Sequence, residues 1–221
     1  MSPQSAPDSN AAPAPLPAAA LPHSPAAERN APHILGVLQT WLPPQAHVLE
    51  VASGTGQHAQ HFVAAMAGWD WQPTEANGAA LAALWARCAG LPGVRAPVVL
   101  DVLAAWPVAA ASFDAVYVAN LLHIAPWAVT PAFMHGAARA LRPGAALVVY
   151  GPFIVAGEAL APSNAAFDAD LRSRNAQWGL RALSEVQAAA WACGLRLAER
   201  RAMPANNLLL RFLKYEGGVD N

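Results

Sequence analysis

The sequence predicts an α/β fold of the Rossmann-like, doubly wound kind, a mainly parallel seven-stranded sheet that ends in a C-terminal antiparallel hairpin. Three observations carry this expectation. Apolar strand-length runs alternate with helical periodicities. The runs are continuous in Val, Leu and Ala, as in strands covered on both faces. The last two runs are joined only by a few residues around Met203-Pro204-Ala205-Asn206, too short for a parallel crossover.

The elements follow in order. Residues 1–24 are rich in Ala, Pro and Ser and lack a basic start before an apolar run, so they read as a disordered tail and not as a signal peptide. One domain is expected over 25–221. Asn30 is the expected cap of a first helix whose first turn tolerates Pro32, with Ile34, Leu35, Leu38, Trp41 and Leu42 at helical spacing. A first strand at about 47–52 precedes a helix at about 57–67, where Ala59, Phe62, Val63 and Met66 form one apolar face. The strand Trp69–Glu75, a helix at about 78–89 and the strand Val94–Asp101 continue the alternation. Phe113–Asn120 is the fourth strand, a helix spans about 127–141 up to Arg142-Pro143-Gly144, and Ala145–Tyr150 is the fifth strand. An insert with one helix, Ala165–Arg174, comes next, followed by a helix at about 184–193 and strands at about 195–202 and 207–214.

Composition narrows the function. The formal charge is −1, and twelve of the thirteen basic residues are scattered Arg, so the broad cationic field of a nucleic-acid binder is missing. No apolar run approaches the roughly 20 residues that span a bilayer. Cys88 and Cys193 form no CxxC pair and suit a reducing cytoplasm as buried thiols. Nothing in the sequence fixes an oligomeric state.

The most informative stretch is His47-Val48-Leu49-Glu50-Val51-Ala52-Ser53-Gly54-Thr55-Gly56-Gln57-His58, an apolar strand that breaks into a glycine-rich turn and opens a helix. Gly54 and Gly56 let the backbone turn and approach a ligand, and the helix start presents unpaired amides. Dinucleotide enzymes share that geometry. Glu50 tips the balance, because a carboxylate there welcomes an ammonium and repels a pyrophosphate. Acidic residues also end the next two strands, Glu75 and Asp101, and ligands of such sheets bind at the carboxyl ends of strands.

Taken with Ser24-Pro25-Ala26-Ala27-Glu28-Arg29-Asn30, Glu50-Val51-Ala52-Ser53-Gly54-Thr55-Gly56-Gln57-His58, Trp71-Gln72-Pro73-Thr74-Glu75, Ala119-Asn120-Leu121-Leu122-His123-Ile124-Ala125-Pro126-Trp127 and Met203-Pro204-Ala205-Asn206-Asn207, the chain resembles class I S-adenosylmethionine (SAM) dependent methyltransferases. It is most similar to a methyltransferase-like family of unassigned function, over about residues 24–214. Ala52 departs from the wider superfamily, which often has another glycine there. The resemblance implies SAM as cofactor, with Glu50 and the Ser53–Gln57 backbone around its amino-acid end. It implies Glu75 on the ribose hydroxyls, Asp101 on the adenine amine with the Val102 amide facing a ring nitrogen, and Asn120 beside the transferred methyl. Arg29 and Asn30, on a helix that folds over the cofactor in related enzymes, and His58 are further contacts to it.

His123 is the best-placed general base, since imidazole titrates near neutrality; loop packing is its alternative. His58 and His61 sit three apart on one helix, but no third ligand is placed by sequence, so no metal is expected. Asn164, Asp168, Asn206 and Asn207 flank the expected substrate mouth, with turn chemistry and capping as the alternative. Trp106, Trp127 and Trp178 line an aromatic pocket or belong to the core. Three functions stay open: methyl transfer to an unidentified small-molecule acceptor, a SAM-binding protein without turnover, and a nicotinamide oxidoreductase, against which Glu50 and the terminal hairpin count.

Overall fold

The computed structural model describes residues 21–215. Residues 1–20 of the expected tail lie outside the described residues. Helix α1 spans Pro25–Trp41, starting earlier than the Asn30 cap expected from sequence. Ser24 is the cap: its Oγ accepts from the Ala27 amide at 3.2 Å, and Pro25 at the first helical position has no amide to satisfy. Asn30 therefore falls inside the helix and is buried, and Pro32 lies in the helix interior on the exposed side.

The remaining elements are β1 (Ala46–Val51), α2 (Gln57–Ala65), β2 (Trp69–Glu75), α3 (Gly78–Cys88), β3 (Val98–Val99), β4 (Phe113–Ala119), α4 (Val129–Ala140), β5 (Leu141–Gly151), β6 (Phe153–Ile154), α5 (Pro162–Arg174), β7 (Arg181–Ala182), α6 (Leu183–Trp191), β8 (Leu195–Met203) and β9 (Asn207–Lys214). Seven strands form one sheet in the order β3-β2-β1-β4-β5-β9-β8. β9 pairs antiparallel with both β5 and β8, and the other pairs are parallel. The doubly wound sheet with a terminal hairpin is thus as expected.

Three segments differ from their expected form. The third strand contracts to two residues, and Val94 keeps only an isolated bridge to Trp71. Between them the Gln72 side chain takes the Ala96 carbonyl at 2.8 Å, and Pro97 has no amide for a ladder. β5 starts at Leu141, so Arg142-Pro143-Gly144 lies within the strand, at a register irregularity opposite Phe113–Ala115. β6 and β7 form a separate two-stranded parallel pair that ties the insert to the strand end.

Each sheet face has its own core. On one, α1 and α2 bring Ile34, Leu38 and Phe62 onto Trp69, Trp71 and Tyr117; on the other, α4 and α6 bring Phe133, Met134 and Val186 onto Val116, Leu147 and Phe212. The sheet's margins are the two-residue β3 and the outer strand β8, where Arg196, Arg200 and Arg201 are exposed and the register shifts between Leu197 and Glu199. Among the described residues no helix is long and apolar enough to cross a membrane.

Close packing of α4 gives a direct test. A Cβ on Gly136 would overlap the indole of buried Trp106, which is itself held against Phe133. Gly136→Ala is expected to cost about 1–3 kcal/mol, the usual penalty for overpacking. Gly36→Ala, on α1 with nothing within 4 Å of the added carbon, is expected to stabilise by about 1 kcal/mol through helix propensity. Chemical denaturation of the two variants should give opposite signs; a neutral Gly136→Ala would refute the packing account.

Candidate functional site

The carboxyl ends of β1, β2 and β4 carry the turns that build the site. After β1, Ala52 and Gly54 both take left-handed backbone, with φ of 55° and 54°. Ala52 bears the strain that a glycine would avoid. A Cβ on Gly54 would meet nothing within 4 Å, whereas one on Gly56 would come 2.6 Å from Leu84 Cδ1. The two glycines therefore serve different ends: Gly54 keeps an open approach to the turn, and Gly56 lets α3 pack against it. Gly56 gives α2 no side-chain cap, so the first amides of that helix, Gln57 to Ala59, point without intrahelical partners from the turn.

The turn is bolted to β2. The Ser53 amide donates to the Thr74 carbonyl at 2.8 Å, the Thr74 amide to Ser53 Oγ at 3.1 Å, and the Gly54 amide to Glu75 Oε2 at 3.0 Å. Glu75 Oε1 accepts from the Ala76 and Asn77 amides at 2.9 and 3.1 Å. A carboxylate offers about four acceptor positions, so Glu75 retains capacity for a further donor. Asp101, beyond β3, is exposed and accepts from the Leu103 amide at 2.9 Å; Val102 beside it is half-buried. Asn120 ends β4 with φ 59°, a conformation Asn tolerates, and its amide donates to the Tyr150 carbonyl at 2.9 Å.

Glu50 lies deeper than its strand-end position suggests. It is 2 % exposed, and its Oε2 accepts from the Trp71 indole at 2.9 Å. Burial pushes its carboxyl up to about 7, and the Trp71 hydrogen bond only partly opposes this. His58 Nδ1 stands 4.0 Å from Glu50 Oε1. That contact is not an ion pair, because burial lowers the His58 imidazole to about 4 and leaves it neutral. The network assigns its tautomer: Asn30 Oδ1, 2.7 Å from Nε2, can only accept, so Nε2 carries the proton and Nδ1 accepts from the Tyr117 hydroxyl at 3.1 Å. Asn30 also hydrogen-bonds the Tyr150 hydroxyl. One buried polar chain thus links α1, α2, β4 and β5 beneath the glycine turn, and this is where Asn30 and His58 act. His61, the second member of the spaced histidine pair, lies edge-on to Phe62.

The chain before α1 reaches the same turn. Gln57 Oε1 accepts from the Ser24 amide at 2.5 Å, and Arg87 donates to the Thr55 carbonyl at 2.5 Å and the Pro22 carbonyl at 2.8 Å. Arg29 is exposed on α1. Sequence reasoning gave no site role to Trp71, Tyr117, Tyr150 or Arg87; the first three lie on buried strands, and only their polar atoms reveal the network.

On the far side of β4, His123 lies in a single 3-10 turn, Leu122–Ile124, and is buried. Desolvation, aided by the Arg181 charge, lowers its imidazole to about 4. It faces Phe167 of α5 edge-on and comes near Gly151 at the end of β5. Arg181 pins this turn by donating to the Leu122 carbonyl at 3.0 Å. Asn164 and Asn206 meet, Nδ2 of the first donating to the carbonyl of the second at 3.0 Å. Asp168 instead accepts from the Leu180 amide and Arg172, which is the capping role. Trp106 is core, Trp127 is exposed and Trp178 stacks under Arg174.

A family model described as "Protein of unknown function (DUF938)" matches residues 21–214. The chain belongs to this family. Among solved structures, it is similar to the mitomycin 7-O-methyltransferase MmcR, with a TM-score of 0.72 and 17 % identity over 86 % of this chain and 54 % of that one. It also resembles CalO1, a methyltransferase in calicheamicin biosynthesis solved in an SAH-bound form, with a TM-score of 0.67 and 16 % identity over 82 % and 53 %. A putative methyltransferase from Bacillus halodurans C-125 matches with a TM-score of 0.65 and 15 % identity over 82 % and 98 %. This member of the family spans about half the length of the first methyltransferase structures it matches. It has the class I methyltransferase fold.

Proposed function

We propose that this chain is a SAM-dependent methyltransferase of the cytoplasm that acts on a small-molecule acceptor. The observation that carries the reading is the joint between the glycine turn and β2, where the Gly54 amide donates to Glu75 at the strand tips beside an uncapped helix start. The residues fit the cofactor. Open space above Gly54 admits its backbone approach, and the uncapped amides of α2 suit a carboxylate. Beside its three amides Glu75 has about one acceptor position left, enough for a ribose hydroxyl. In this reading Asp101 and the Val102 amide take the adenine, and Asn120 flanks the reacting methyl.

When bound, SAM supplies an electrophilic methyl on a sulfonium. The chain's own residues orient, desolvate and charge-balance. Glu50, held near neutral titration by burial, gains its charge when an ammonium comes close, since a neighbouring cation favours the ionised form. The glycine turn and Asn120 fix the direction of approach, which is the larger part of catalysis for a displacement of this kind. His123 is neutral at pH 7 and able to accept a proton, but at about 4 it is a weak base, suited to an acceptor whose proton is already acidic.

Glu75→Ala is expected to weaken S-adenosylhomocysteine binding at least tenfold, because a hydrogen bond to a charged acceptor is worth about 1.5–3 kcal/mol. Calorimetric titration checks it; an unaltered Kd removes Glu75 from the ribose. The weak basicity of His123 also favours a second reading, a SAM-binding protein without turnover. Incubation of a metabolite extract with methyl-labelled SAM separates the two by the presence or absence of a labelled product. The antiparallel β9 counts against a nicotinamide oxidoreductase.

A further inference from the structure

A hollow of about 230 Å³ lies between the start of α5, the Met203–Asn207 turn and the residues after β5. Because β8 runs parallel to β5, this turn stands at the same carboxyl edge as the glycine loop, and Leu208 pairs with Gly151. Gly151 in turn borders His123 and the Asn120 side-chain oxygen. The hollow therefore adjoins the side of the crevice away from the glycine turn.

Its walls are apolar at Phe153, Leu160 and Met203 and polar at Glu158, Asn164 and Asn207. The orientation of the two amides decides what it accepts. Asn164 Nδ2 gives one N–H to the Asn206 carbonyl at 3.0 Å, and Asn207 Nδ2 gives both of its own to the Pro204 and Ala205 carbonyls at 3.0 and 3.3 Å. Carbonyls only accept, so these assignments are forced. Both side-chain oxygens are left as acceptors, and among the described residues neither receives a donor. Glu158 is the one ionisable side chain in the lining, and it leans out to Arg200, whose Nη2 lies 2.7 Å from its Oε1. The helix start adds little for an anion: Pro162 has no amide, and the Asn164 and Ala165 amides return to the Ala161 carbonyl at 2.9 and 3.0 Å. The Asn164 and Asn207 oxygens and the Glu158 carboxylate are offered as acceptors, one N–H each of Asn164 and Asn206 remains as a donor, and the only formal charge in the lining is negative.

We infer that this hollow is the acceptor pocket and that it takes an amine carried on an apolar body, its N–H groups directed to Asn164, Asn207 and Glu158. Its role as the acceptor pocket rests on the methyl-transfer reading; its preference for donors over anions rests on the lining alone. An acid of the same size meets the Glu158 carboxylate and no cationic side chain in the lining, and binds more weakly than the amine.

The test titrates the full chain with phenethylamine and with 3-phenylpropionate, followed by protein-observed NMR, in the wild type and in Glu158→Lys. Glu158 is exposed, so the variant is expected to fold, and S-adenosylhomocysteine affinity serves as its control. The expected result is at least fivefold tighter binding of the amine, with shifts at Asn164 and Asn207, and reversal of the preference in Glu158→Lys. Equal or tighter binding of the acid by the wild type, or binding of neither probe, overturns the inference. S-adenosylhomocysteine binding without an amine preference sinks the pocket alone. Amine preference without S-adenosylhomocysteine binding sinks methyl transfer and leaves the pocket standing.

Discussion

Glu50→Gln is expected to make the ligand-free protein more stable at pH 8 by about 3 kcal/mol while weakening its hold on S-adenosylhomocysteine. The carboxyl sits at about 7 in the folded chain against an ordinary 4.5. In the folded state it keeps its proton where the unfolded chain has released it. Stability from this group is therefore complete below pH 4.5 and is lost as the pH rises through 7. The gap between the two values corresponds to about 3 kcal/mol. Glutamine keeps an oxygen for the Trp71 indole at nearly the same volume and carries no charge, so it escapes the loss. Denaturation of both proteins at pH 4.5 and pH 8 should show a difference near zero at the first and near its full value at the second. A difference that does not grow with pH would mean that Glu50 is not the group forced to ionise in the dry interior. The loss of affinity comes from the same change, because the ammonium would no longer find a carboxylate below it.

Acid is expected to destabilise the protein through two histidines. His58 and His123 both stand at about 4 when folded, below the ordinary 6.5. A depressed histidine contributes stability that is present above 6.5 and lost as the pH falls to 4, about 3 kcal/mol for each. Between pH 7 and 4.5 the recovery at Glu50 offsets roughly one of them, leaving a net loss of about 2 kcal/mol from these three groups. His123→Phe removes one histidine from this balance. Its side chain makes no hydrogen bond among the described residues, and a phenyl ring preserves the edge contact with Phe167. In the variant the Glu50 and His58 contributions nearly cancel over that range, so it is expected to lose markedly less stability to acid than the wild type. Urea midpoints at several pH values decide the matter, and an acid loss as steep as the wild type's would exclude His123 as a source.

How much of this was legible in the sequence depends on the range over which each feature is determined. β1, β2 and β4 were readable because burial on both faces demands an unbroken apolar run, and the glycine turn because its backbone excludes most side chains. β3, β6 and β7 were not, since two residues make no pattern. The cap of α1 was misplaced because Ser24 and Asn30 are both good capping residues, and only the inward pull of the His58 and Tyr150 hydrogen bonds on Asn30 separates them. Glu50 was recognisable as an acid on a strand but not as one enclosed by Trp71 and His58, which come from elements further along the chain. Asn164 and Asn206 were noted as neighbours of a mouth, yet their pairing spans 42 positions and exists only once the insert has folded back onto the hairpin.

The two margins of the sheet bear on how the molecule behaves among its own copies. A strand end normally offers free amides and carbonyls that a neighbour's backbone can extend, the first step of amyloid-like accretion. Here one rim is too short to template a partner, and the other, studded with guanidinium groups and broken by a register slip, repels an identical rim brought against it.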